Sequence, residues 1–236
     1  MRRSLLPILL LLAAVLAACG SNSGGSTEAD IPSGGAPTTA TTTTPAPASS
    51  SSAACKQIAK APKPKPDGGQ KKPAKPLDAS KTWTLKFETS CGDFTVTLDL
   101  KSAPNASASM VSLANAGFFE DTIFHRIVPD FVIQGGDPTG TGQGGPGYST
   151  VDKPPKDASY TKGVVAMAKA PNEAPGTAGS QFYVVTGADA GLPPDYAIIG
   201  KVTAGADVVD RIGKLGDANE QPTQIVELYD VKASSS

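Results

Sequence analysis

Phe124-His125-Arg126-Ile127-Val128-Pro129-Asp130-Phe131-Val132-Ile133-Gln134-Gly135-Gly136-Asp137 is the stretch on which the reading of the fold turns. It reads as two short strands, residues 123–128 and 131–134. Side chains alternate between the two faces of a strand. Arg126 therefore shares a face with Val128, and Phe131 with Ile133 opposes Val132 with Gln134. Such spacing can place an arginine, a glutamine and apolar groups around one groove.

The same short periodicities continue outward in both directions. Residues 82–89, Thr-Trp-Thr-Leu-Lys-Phe-Glu-Thr, alternate polar and apolar, residues 90–93 supply a turn, and residues 94–100 alternate again, which predicts a hairpin with one buried face. Residues 104–119 predict a helix, with Pro104 in the first turn, Met110, Leu113 and Ala114 on one face, and Asn115 with Gly117 closing it. Further strands are expected at 164–168, 181–186, 197–202 and 224–231, and a second helix at 206–212. Many short strands, two helices and glycine-rich connections point to an antiparallel barrel with helices at its ends, not to a doubly wound sheet. Residues 82–232, about 150, suffice for one domain with a real core. The loop 135–158 has no periodicity, and a connection of that length in a compact domain is usually functional.

The residue inventory excludes several chemistries. His125 is the only histidine and the cysteines have other roles, so there is no metal-ligand cluster, nothing argues for a Ser/His or Cys/His pair, and no metal or cofactor is expected. The run Gly140-Thr141-Gly142-Gln143-Gly144-Gly145 matches a dinucleotide fingerprint in form only. Pro146-Gly147-Tyr148 does not open a helix and no βαβ unit surrounds it. Gly179-Ser180-Gln181 lacks the glycine spacing of a nucleophile elbow.

The opening stretch, taken with Gly163-Val164-Val165-Ala166-Met167-Ala168 and Gly179-Ser180-Gln181-Phe182-Tyr183, is very similar to the cyclophilin signature, and the resemblance covers essentially all of residues 82–232. It implies a mainly β fold, a closed eight-stranded antiparallel barrel with two capping helices, and peptidyl-prolyl cis-trans isomerase activity without a cofactor. By matching motif positions it implies Arg126 as the catalytic arginine and Phe131, Val132 and Tyr183 as walls of a proline pocket. Gln134 becomes a hydrogen-bonder to the substrate backbone. Ala168, Lys169, Ala170 and Gln181 would line an adjoining peptide groove, and Leu192 with Tyr196 would close the pocket. The chain departs from the eukaryotic pattern at Val132, Tyr183, Lys169 and Tyr196, which stand where methionine, phenylalanine, asparagine and histidine are frequent. Gly191 replaces the pocket tryptophan, so weak binding of cyclosporin-type cyclic peptides is expected. Residues 171–178 are slightly longer than usual. Two other readings remain in view: a module on the same fold that binds Pro-containing segments without turnover, and a transporter lipoprotein, which the single domain disfavours.

The N-terminus has its own logic. Two arginines, an apolar run over 5–16 and Leu16-Ala17-Ala18-Cys19 have the layout of a signal peptide, too short to span a membrane. Leu16-Ala17-Ala18-Cys19 resembles the lipobox of bacterial lipoproteins. Residues 1–18 are thus expected to be removed, with Cys19 lipidated and the protein held at the outer face of the cell membrane. Residues 19–81, rich in Ser, Thr, Pro and later Lys, carry too few large apolar side chains to order themselves and are expected to form a disordered linker. Residues 38–52 are a weak candidate for O-linked sugar, and 233–236 are expected as a tail. Residues 56–81 hold eight lysines and two aspartates, whereas 82–236 hold eleven basic and eighteen acidic groups. The basic run has no interleaved aromatics, which disfavours nucleic acid. It is either a solvated spacer or a strip that lies on anionic headgroups. The expected partners are proline-containing exported polypeptides, met by a monomer. Export also favours a disulfide between Cys55 and Cys91. The alternative leaves Cys55 free and Cys91 as a small buried strand residue.

Overall fold

The computed structural model describes residues 54–236. The expected signal segment, the expected lipidation at Cys19, the stretch 38–52 considered for O-linked sugar and the first part of the linker lie outside the described residues.

The chain forms strands β1 (Trp83–Thr89), β2 (Gly92–Leu98), β3 (Thr122–Ile123), β4 (Arg126–Val128), β5 (Val132–Gly135), β6 (Thr150–Val151), β7 (Val164–Met167), β8 (Thr177–Ala178), β9 (Phe182–Val185), β10 (Ile198–Ala204) and β11 (Glu227–Ser235). Helix α1 (Pro104–Asn115) follows β2, and α2 (Ala206–Gly213) follows β10. Nine strands make one curled sheet in the order β3-β11-β1-β2-β10-β7-β9-β5-β4, and β6 pairs separately with β8. All pairings are antiparallel.

This is the mainly β, two-helix architecture that the alternation implied, with nine main-sheet strands where eight were expected. The expected strand at 123–128 divides at Phe124 and His125. Phe124 sends its N–H to the Val226 carbonyl (3.0 Å) and its ring to the interior, so the end strands β3 and β4 meet at a two-residue seam without a shared ladder.

The interior follows from period two. On β1 and β2, Leu85, Phe87, Phe94 and Val96 are at most 1% exposed, and the opposed rings of Phe87 and Phe94 stack at 4.6 Å. Phe182 meets the rings of Phe87, Phe119 and Phe124 at 5.1–6.3 Å. Helix α1 buries Met110, Val111 and Leu113 on this core. Its first N–H groups have no local cap; Asp152 accepts from Asn105 N (3.3 Å) and Ala106 N (2.6 Å) across more than forty residues.

Both ends of the domain exceed the expected bounds. The presumed tail is part of β11, with Ser235 opposite Trp83 and Ser234 opposite Thr84. Residues 54–81, expected as linker, are an extended arm tied to the domain. Cys55 and Cys91 form a disulfide, and Lys56 N donates to Ser90 O (2.7 Å). Farther along, Lys65 N donates to Pro138 O (2.8 Å), Gly68 N to Gly145 O (2.9 Å) and Gln70 N to Pro146 O (3.0 Å). The Lys65 ammonium also reaches Gly117 O at 2.9 Å, and Trp83 Nε1 donates to Asp78 O at 3.1 Å. Composition missed this because the arm is held mostly by backbone groups and one covalent bond, with only minor apolar packing from Cys55 and Leu77. A cross-link over a separation of 36 residues removes denatured-state entropy worth about 3 to 4 kcal/mol.

Candidate active site

The strands that bury one face in the interior carry the site on the other. On β5, β7 and β9 the residues Ile133, Val165, Phe182 and Val184 point inward, and Val132, Val164, Ala166, Tyr183 and Val185 form a second cluster outside. Register aligns the polar members. Arg126 on β4 is opposite Gln134 on β5, Gln134 is opposite Tyr183 on β9, and Tyr183 is opposite Ala166 on β7. This row crosses four strands: β4 and β5 form one hairpin, and β7 and β9 join it from farther along the chain.

A pocket of about 270 Å³ opens on that row, lined by Arg126, Phe131, Val132, Gln134, Ala168, Lys169, Tyr183, Leu192 and Tyr196. A neighbouring groove of about 670 Å³ shares Gln134, Ala168 and Lys169 with it and adds Ala170, Gln181 and the segment 142–149. Every residue that the sequence nominated for catalysis or substrate contact thus lies on one of two adjoining cavities.

Arg126 is fixed from two sides. Its Nε donates to Glu220 Oε2 at 2.7 Å and its Nη1 to Gln134 Oε1 at 3.3 Å, and its guanidinium carbon lies 5.9 Å from the centre of the Phe131 ring. A guanidinium has five N–H donors. The others have no partner among the described residues and are available at the pocket rim. Glu220 reaches the arginine because its backbone takes a left-handed φ of 64° in a turn where Ile127 N donates to Glu220 O (3.1 Å). The hydrogen bond from Arg126, reinforced by its charge, holds the Glu220 carboxyl below the usual carboxylate range. Sequence reading missed Glu220, which lies 94 residues from its partner in a turn without a motif.

Gln134 passes the network on. Its Nε2 donates to Gln181 Oε1 (3.0 Å), and Gln181 Nε2 donates to the carbonyls of Gly142 and Gly144 (both 3.0 Å). One chain of hydrogen bonds joins Arg126 to the glycine-rich wall of the groove. The base of that wall is Asp137, fully buried, which accepts from Thr139 N and Oγ1 and from Thr141 N and Gly142 N. Burial works to raise its pKa, but these donors outweigh it and keep the carboxylate ionised.

The pocket walls are aromatic. Tyr160, not foreseen from sequence, donates its hydroxyl to Tyr196 O (2.8 Å) and accepts from Tyr196 N (2.9 Å), which secures the loop bearing Leu192 and Tyr196. The Tyr183 hydroxyl is buried without a partner, and desolvation pushes its pKa well up. Lys169 lines both cavities, yet its ammonium does not face a substrate. The side chain is 4% exposed, paired with Asp195 at 3.1 Å and bonded to Glu173 O at 3.1 Å, and it lies over the Tyr196 ring at 5.6 Å. Gly191 has a φ of 60° with open space where a Cβ would be.

Comparison with known proteins gives a consistent result. A family model described as cyclophilin type peptidyl-prolyl cis-trans isomerase/CLD matches residues 84–233. A peptidyl-prolyl cis-trans isomerase of Arabidopsis thaliana is 37% identical over 153 residues, covering 63% of this chain and 92% of the relative. Human peptidyl-prolyl cis-trans isomerase-like 1 is 37% identical over 165 residues, 68% of this chain and 97% of the relative. Among solved structures, a Cryptosporidium parvum cyclophilin type peptidyl-prolyl cis-trans isomerase crystallised in the presence of the dipeptide Ala-Pro superposes with a TM-score of 0.60 at 30% identity, covering 65% of this chain and 99% of that one.

Proposed function

This chain belongs to the cyclophilin-type peptidyl-prolyl cis-trans isomerases, and from that premise we propose that it accelerates proline isomerisation in exported polypeptides. Anchored through Cys19, it would act at the outer face of the cytoplasmic membrane. The observation that carries the catalytic reading is the Arg126 guanidinium held at the rim of an apolar pocket with donors to spare. The export reading rests on residues 1–19 alone.

The chemistry needs little else. Rotation about an amide is opposed by a barrier of about 18–20 kcal/mol, because the bond loses resonance as it twists. In the twisted state the nitrogen is pyramidal and its lone pair can accept a hydrogen bond that the planar amide cannot. A donor aimed at that nitrogen binds the twisted state more tightly than either planar isomer, which is the condition for catalysis. Phe131, Val132, Tyr183, Leu192 and Tyr196 would hold the prolyl ring, Gln134 would hold a flanking carbonyl, and Arg126 would donate. Arginine suits the role because it stays charged and its donors form a rigid fork. The Ala-Pro dipeptide used with the relative is the smallest fragment of such a substrate.

The test is a protease-coupled isomerisation assay on the purified protein. Arg126→Ala is expected to lower kcat/KM about 100- to 1000-fold, the usual loss on removing one preorganised donor, with the melting temperature little changed. Arg126→Lys should also be poor. Near wild-type turnover by folded Arg126→Ala would end the arginine mechanism.

A further inference from the structure

The arm lies outside the residues that match the family, 84–233, yet it bonds to the wall of the peptide groove. Gly145, Pro146 and Ser149 line that groove. Gly68 N donates to Gly145 O at 2.9 Å, Gly145 N donates back to Asp67 Oδ1 at 2.8 Å, Gln70 N donates to Pro146 O at 3.0 Å, and Lys72 Nζ donates to Ser149 O at 2.9 Å. Arm and wall are also in close contact, since a Cβ added at Gly147 would stand 3.0 Å from Gly68 Cα and 3.1 Å from Gly69 N. Gly68 and Gly69 both take left-handed φ values, 76° and 77°, the conformations that let the arm turn along the wall.

The wall is a segment that has reason to be braced. Residues 140–147 contain five glycines, and glycine loses more conformational entropy on ordering than any other residue. From the inside the segment is held by Gln181 at Gly142 and Gly144 and by Asp137 at Gly142. The arm holds it from the outside, one to five residues farther along. A groove wall ordered before the substrate arrives spares the substrate the cost of ordering it.

We infer that the arm is a built-in part of the substrate site: residues 67–72 brace the wall 142–149 and thereby set the affinity for the polypeptide flanking the proline. The inference rests on the isomerase reading above and deepens it. It divides the site into a proline pocket that works independently of the arm and a flanking groove that depends on it. The arm is then a specificity-determining element for long, unfolded chains. Its action is through the wall, so its residues are positioning residues and not catalytic ones.

The experiment uses the full chain with the variant Asp67→Ala/Gly68→Pro/Lys72→Ala. It removes the acceptor for Gly145 N, the donor to Gly145 O and the ammonium on Ser149, and proline's φ near −65° is incompatible with the value at Gly68. Isomerisation is measured by NMR exchange on an Xaa-Pro-Xaa tripeptide and on a dodecapeptide with proline at its centre, with hydrogen exchange at the Gly145 amide as the report on release. The expected result is faster exchange at Gly145, a KM for the dodecapeptide raised about five- to tenfold with kcat held, and a tripeptide KM changed less than about twofold. The inference is overturned by an unchanged dodecapeptide KM once Gly145 exchange shows release, or by exchange that does not respond at all. Equal weakening of both substrates would overturn it too, by removing the division between pocket and groove. Failure of the wild-type protein to isomerise either peptide would instead refute the isomerase reading, independently of the variant.

Discussion

The two faces of the same strands have opposite characters. Inside the barrel, Phe182 and its neighbours are unexposed, purely apolar and ring-packed. Outside, one residue along, Tyr183 belongs to a cluster that leaves a cavity of about 270 Å³, an unpartnered hydroxyl and an arginine with unspent donors. Close packing is what stability asks for, and unfilled volume with unsatisfied polar groups is what binding asks for. Because side chains alternate, a single strand supplies both, and adjacent residues should separate stability from activity on mutation.

The sharpest test is the pair Phe182 and Tyr183. Phe182→Ala should cost about 3 to 5 kcal/mol of stability through lost burial and the cavity left behind, read by urea denaturation, with kcat/KM preserved in the fraction that remains folded. Tyr183→Phe should do the reverse of harm. It deletes a buried hydroxyl without a partner, and relief of that desolvation is expected to add about 1 kcal/mol of stability while activity stays within a few fold. A destabilised Tyr183→Phe would show that the hydroxyl has a partner and that the outer face is as closed as the inner.

At the rim, Gly191→Trp tests how open the outer face is. A Cβ there meets nothing within 4 Å, and a tryptophan would offer a ligand part of the 150–250 Å² that an aromatic side chain buries. At roughly 25 cal/mol/Å² for the share a ligand covers, affinity for a cyclosporin-type peptide should rise about tenfold or more, while the left-handed backbone costs the folded protein about 1–2 kcal/mol of stability. The wild-type protein should bind it weakly, and nanomolar inhibition of the natural sequence would mean that Tyr196 already serves as the wall.

The smallest effect concerns the seam between the faces. His125 is largely buried with neither ring nitrogen bonded, and its pKa is lowered by desolvation, which the Asp137 carboxylate opposes and the Arg126 charge assists. The folded protein therefore keeps it neutral where the unfolded chain, titrating near about 6.5, takes up a proton. Stability should decline as pH falls from about 6.5 towards the lower folded value. The chain has no other histidine, so a melting temperature that drops between pH 7.5 and 5.5 should become flat in His125→Gln. An equal slope in that variant would exclude His125 as its origin; Glu227 could not supply it, because burial raises its pKa and a raised carboxylate pKa makes stability increase as pH falls.

Much of this was legible in the residues themselves. The β1–β2 hairpin, both helices and most of the barrel strands followed from alternation and helical spacing, because burying one face of an element imposes its period on the sequence. The cluster of Arg126, Gln134 and Tyr183 was named by the motif positions of the family signature; parity allowed Arg126 and Gln134 around one groove but did not itself bring Tyr183 to them. Other features depend on residues brought together from distant parts of the chain. Glu220 on Arg126, Asp152 capping α1 and Tyr160 securing Tyr196 are pairings across 36 to 94 residues that no local pattern encodes. Lys169 reads as a groove residue by position, and only its partner Asp195 shows that its charge is turned away. The arm is the clearest case. Its composition announced a chain with too little apolar surface to order itself, and alone that holds; folding supplies a disulfide partner and a row of unpaired loop carbonyls and amides, which order it from outside. Local periodicity is written where burial is local, whereas a hydrogen bond between distant segments leaves no mark until the backbone brings its two ends within 3 Å or so.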